Sequence, residues 1–83
     1  MTVPVTLSGT PTKICEGAGS MLMTAQSGWC YYAFTTSDTA PDPAQAAHFL
    51  PAWRETSKDM VAGERLWVWG EGVLALFATN PAP

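Results

Sequence analysis

Arg65 to Thr79, RLWVWGEGVLALFAT, is hydrophobic on both sides of any strand that it forms. Successive side chains of a strand point to opposite faces, so a strand with one wet face alternates apolar and polar residues. Here Leu66 and Val68 share one side and Trp67 and Trp69 the other, and beyond Gly70-Glu71-Gly72 the residues Val73, Ala75 and Phe77 oppose Leu74, Leu76 and Ala78. The two glycines supply the positive φ angles of a tight reversal, so the stretch reads as a β-hairpin. Both of its faces need cover. A chain of 83 residues makes one core and buries roughly 60–65% of its unfolded surface. We therefore expect one face on the core and the other against a partner, since an uncovered apolar hairpin invites aggregation. The competing reading is a central strand pair covered on both sides within a closed sandwich or barrel.

The remaining segments also punctuate as short strands. Val3-Pro4-Val5-Thr6-Leu7-Ser8 alternates, and Pro4 places it at a sheet edge or strand start. Thr12–Cys15, Ser20–Ala25 and Trp29–Thr35 follow between Gly-rich turns, the last apolar on both faces, and Ser20–Ala25 with Trp29–Thr35 makes a plausible antiparallel hairpin. Thr36 to Ala47 is one long polar loop in which Pro41 and Pro43 exclude a helix, with a single helical turn conceivable after Pro43. His48-Phe49-Leu50 is an apolar anchor or short strand, Ala52–Thr56 a strand closed by a turn at Ser57-Lys58-Asp59, and Asn80 to Pro83 a tail without structure. The pattern predicts an all-β fold over residues 1–83, a small antiparallel sandwich or barrel of about six to eight short strands.

Chemistry is sparse. Charged residues are only 13% of the chain, the formal charge is −3, and Lys13, Arg54, Lys58 and Arg65 are scattered, which argues against nucleic acid. His48, the sole histidine, has Ser37, Asp38 and Asp42 near it in sequence only, within a proline-broken loop. No carboxylate pair, phosphate-cradling loop or nucleophile elbow is present, so we expect no enzyme, no catalytic residues and no cofactor. Two cysteines and one distant histidine do not make a four-ligand metal site. Cys15 and Cys30 read as free buried thiols, with a disulfide the lesser alternative. The N-terminal residues lack the pattern of a signal peptide and no run approaches a membrane span, so neither export nor a membrane partner is expected.

The aromatics carry more information. Trp67 and Trp69 share a strand face, Trp29 and Tyr31 share another, and Trp53 stands apart. Such rings either form a protein contact, as Trp and Tyr do at hot spots, or a sugar-stacking platform. Neighbours that are Leu, Val and Ala favour protein, and these five residues are the candidate partner-binding set. On that reading a Trp67→Ser, Trp69→Ser variant stays folded and loses its partner.

The order "VPVTLSGTPTKIC", "WCYYAFTTSDTAPD", "HFLPAW" and "VAGERLWVWGEGVLALFAT" resembles that of small β-structured virion proteins of tailed bacteriophages. The similarity spans residues 3–79 and is one of layout, with no ligand or catalytic motif to transfer. It implies a structural role: a capsid decoration or cement subunit, made in the host cytoplasm and carried in the virion. Its partners would be copies of itself, a trimer being the usual arrangement, and the major capsid protein or another head or tail protein. The alternative is a carbohydrate- or receptor-binding module of a head or tail fibre.

Overall fold

The computed structural model describes residues 2–44 and 47–82. Eight strands form: β1 (Thr2–Thr6), β2 (Thr12–Glu16), β3 (Gly19–Ala25), β4 (Trp29–Thr35), β5 (His48–Pro51), β6 (Glu55–Met60), β7 (Arg65–Glu71) and β8 (Val73–Ala78). They build two antiparallel four-stranded sheets, sheet I in the order β1-β8-β3-β6 and sheet II in the order β2-β7-β4-β5. The sheets close on one shared core, giving the β-sandwich that the strand spacing predicts.

The two expected hairpins are corrected. β7 lies in sheet II and β8 in sheet I, and β3 and β4 are likewise divided between the sheets. Gly70-Glu71-Gly72 is a corner where the chain changes layer, and the Gln26–Gly28 turn is another. At the first corner Gly72 has a φ of 106°, and a Cβ there would stand 2.1 Å from the Ser27 carbonyl oxygen. Leu7 N donates to Gly72 O at 2.9 Å, Gly70 N to Ser8 O at 2.7 Å and Gln26 N to Val73 O at 2.9 Å, so three segments clamp this corner. Sending the two apolar arms into different layers makes each a central strand, flanked on both sides by side chains of its neighbours. That is how one small chain shelters a stretch that does not alternate. Pro4 does sit in an edge strand, β1, where its missing N–H interrupts no ladder.

The fifth strand is displaced from its expected place. Ala52–Arg54 forms the turn and Ser57-Lys58-Asp59 lies within β6, pairing with Leu22, Met21 and Ser20 respectively. Polar residues occupy the strand because β6 is an edge with one wet face. The C-terminal tail is corrected as well. Asn80 is buried and donates through Nδ2 to Gly17 O at 2.8 Å, Pro81 bridges to Cys15, and Ala82 N donates to Ile14 O at 3.0 Å. A free edge of β2 was available to satisfy those backbone groups. Pro83, and part of the helical turn expected after Pro43, lie outside the described residues.

Met23, Leu66, Leu74 and Val68 are the largest fully buried side chains, drawn from both sheets. Cys15 and Cys30 lie among them as free thiols, and burial pushes each thiol up to about 11. The thiolate is the reactive form. Both cysteines are therefore expected to resist a disulfide reagent such as dithionitrobenzoate at neutral pH and to react together on unfolding. Fast labelling of the native protein at either position would contradict this packing.

Candidate functional site

The outer face of sheet II gathers aromatic residues from three strands. In the register, Trp69 of β7 stands opposite Tyr31 of β4, and Tyr31 stands opposite Phe49 of β5. Directly opposed residues of an antiparallel pair share a face, so these three rings form one row across the sheet. Trp29 flanks the row along β4 and Trp67 flanks it along β7. Tyr31 is the hub. It lies 5.4 Å from Trp29 edge-to-face at 70°, 5.2 Å from Phe49 at 49°, and 6.3 Å from Trp69 stacked at 23°. Pairs in such geometry contribute about 0.5–1.5 kcal/mol each beyond their buried area.

Exposure divides the cluster into floor and surface. Trp67 and Trp69 are only 8% and 5% exposed, whereas Trp29, Tyr31 and Phe49 retain 39%, 36% and 54%. Of the five residues picked from the sequence, Trp29, Tyr31, Trp67 and Trp69 come together. The last two belong to the packing, so exchanging both for serine removes buried rings and is expected to cost stability as well as contact surface. Phe49 was missed as a site residue. Its signal was the period of two, because Leu50 faces the core and its neighbour therefore faces out.

A polar strap closes the Trp67 end. The Trp67 indole N–H donates to Thr35 Oγ1 at 2.8 Å, and the Thr35 hydroxyl donates to Ser37 O at 2.8 Å. Asp38 then meets Lys13 Nζ at 2.6 Å, and Lys13 also meets Glu16 at 2.6 Å. Lys13 lies on β2, beyond β7 as seen from β4, so the contact between its side chain and Asp38 spans β7. Arg65 Nη1 donates to Thr36 O at 3.1 Å, and its guanidinium lies 3.6–3.7 Å from Glu16 and Asp38. The hydrogen bond from Lys13, reinforced by its charge, holds the Asp38 carboxyl below the usual carboxylate range. Basic residues that are scattered in sequence, Lys13 and Arg65, are thus brought together by β2–β7 pairing.

Trp53 stands outside the cluster, at the tip of the Pro51–Arg54 turn, with no ring partner among the described residues. His48 stacks on Tyr32 at 5.2 Å and 30° and makes no ion pair or side-chain hydrogen bond among the described residues. No group of three or more His, Cys, Asp or Glu side chains gathers into a metal site among them. The sheet II face exposes aromatic surface that can be buried against another molecule. Comparison with protein-family models, with curated proteins and with solved structures returns no match.

Proposed function

We propose that this chain is a non-enzymatic structural subunit of a tailed-phage virion, a capsid decoration or cement protein that docks on its neighbour through Trp29, Tyr31 and Phe49. The observation that carries the reading is an aromatic face of mutually packed rings, exposed at its surface and backed by two buried tryptophans. Rings held in place by one another lose little conformational freedom on binding, which is why such clusters serve as interface anchors. The virion setting comes from the resemblance in strand and loop order, as does assembly with further copies of the same chain.

The carbohydrate reading finds less support in the ring geometry. A sugar platform needs free, roughly coplanar ring faces, and here Trp29 and Phe49 are turned 70° and 49° from Tyr31 and pack on it. The two readings separate in one comparison. Particles banded from a lysate of the encoding genome are expected to contain this chain at a fixed ratio to the shell protein, and soluble glycans are expected to leave its tryptophan fluorescence unchanged. Absence from particles together with glycan quenching would replace this proposal with the carbohydrate one.

A further inference from the structure

Trp53 is 75% exposed, the highest value of any large hydrophobic side chain among the described residues. It also has a φ of 65°, the one positive value there outside glycine. Bulky L residues rarely adopt that conformation. Three backbone hydrogen bonds hold it: Arg54 N to Pro51 O at 3.1 Å, Trp53 N to Ala25 O at 2.6 Å, and Ala25 N to Arg54 O at 3.1 Å. A strained backbone that projects an indole into solvent does nothing for the core, and such outliers point to a role in contact with something else. Beside it, Arg54 takes part in no ion pair among the described residues. Trp and Arg are the residue types most enriched at binding hot spots.

A matching recess lies on the outer face of sheet I. Ser20 and Ser57 leave an open depression of about 510 Å³ bordered by Leu22, Phe77 and Asp59. Leu22 and Phe77 stand opposite each other in the register and are 40% and 43% exposed. The Asp59 carboxylate accepts from Ser20 Oγ at 3.1 Å and meets no cation among the described residues. Glu55 and Asp59 are the ionisable residues whose pairing with Thr24 and Ser20 puts them on this face, and both are acidic. Lys58, between them, also lines the recess, but its ammonium is engaged away from Asp59, 4.3 Å over the Phe34 ring and 2.6 Å from Glu64. The recess sets two exposed apolar side chains beside serines and a carboxylate, and the Trp53–Arg54 tip sets an indole beside a guanidinium.

We propose that Trp53 and Arg54 of one copy dock into the Leu22–Phe77–Asp59 recess of a second copy, the indole between the two apolar side chains and the guanidinium on Asp59. Within one chain Trp53 is left exposed and Arg54 meets no carboxylate among the described residues, so a copy does not fill its own recess. A reciprocal exchange closes at a dimer, and a one-way exchange forms a ring or chain of copies. The contact gives a physical basis to the self-association in the reading above, and it is separate from the sheet II face.

Sedimentation equilibrium with light scattering over a concentration series tests it. Wild type is expected to exceed the monomer mass as concentration rises. Trp53→Gly is expected to weaken association by at least about thirtyfold while melting no lower than wild type, because glycine accepts the left-handed backbone. Arg54→Glu and Asp59→Lys are each expected to lose association, and an equimolar mixture of those two variants to regain it. A wild type that stays monomeric throughout, a Trp53→Gly variant that associates normally, or a mixture without rescue would overturn the proposal. So would association that survives these changes and disappears in a Trp29→Ser, Tyr31→Ser, Phe49→Ser variant, which would assign self-contact to sheet II.

Discussion

Trp67→Ala is expected to destabilise the protein by about 3–5 kcal/mol and lower its melting temperature by more than about 12 °C. The side chain is 8% exposed, packs with Ala33 and Trp69, and satisfies its indole N–H on Thr35. Truncation therefore empties a packed site and also frees the hydroxyl that fastens the strap carrying Asp38. Trp53→Ala, by contrast, is expected to change stability by less than about 1 kcal/mol, as is usual for surface positions. Thermal and urea unfolding of the two variants decides the matter. A Trp67→Ala variant within about 1 kcal/mol of wild type would mean that the outer side of sheet II is not a packed layer.

Gly72→Ala is expected to abolish folding or to cost about 4 kcal/mol or more. Two effects add at this position. The φ of 106° is closed to L side chains, and the new methyl group would overlap the Ser27 carbonyl, whose own turn is tied to the same corner. Backbone on both sides leaves nothing flexible to give way. Gly17 is the control, with a φ of 88° and nothing within 4 Å of the added carbon. Gly17→Ala is expected to carry the backbone term alone, about 1–2 kcal/mol. Circular dichroism of both purified variants distinguishes them, and equal losses would show that the corner is less confined than its geometry indicates.

Local pattern was legible in the sequence and pairing was not. Alternation and turn residues located β2, β3, β4 and β8 to within a residue and β7 to within two, because side-chain period and glycine placement are local properties. The same glycines mark a hairpin or a change of layer, and nothing local separates the two. Only β4 and β5 pair in chain order among the described strands, so the partners of β1, β2 and β3 lie far along the chain. β6 was misplaced for a related reason. Its Ser-Lys-Asp run has turn composition, and it is a strand because β3 presents a ladder to it.

The candidate face was legible in composition and in which side each ring takes. Trp67 with Trp69, and Trp29 with Tyr31, do share the outer side of one sheet. Which of them would be covered was not legible, since the depth of Trp67 depends on a strap fixed by Lys13, Asp38 and Arg65, three residues distant in sequence. Phe49 escaped notice because a four-residue strand beside a proline loop gives too short a run for its face to be read.

On the proposed function, the exposed rings of sheet II hold the chain on its neighbour. The most direct measurement is the amount of the chain in purified particles when Trp29, Tyr31 and Phe49 are all replaced by serine, alongside the melting temperature of the same variant in isolation. The variant is expected to unfold cooperatively, with its Trp67–Trp69 floor in place, and to be absent from particles. A folded variant incorporated at the wild-type ratio would contradict it.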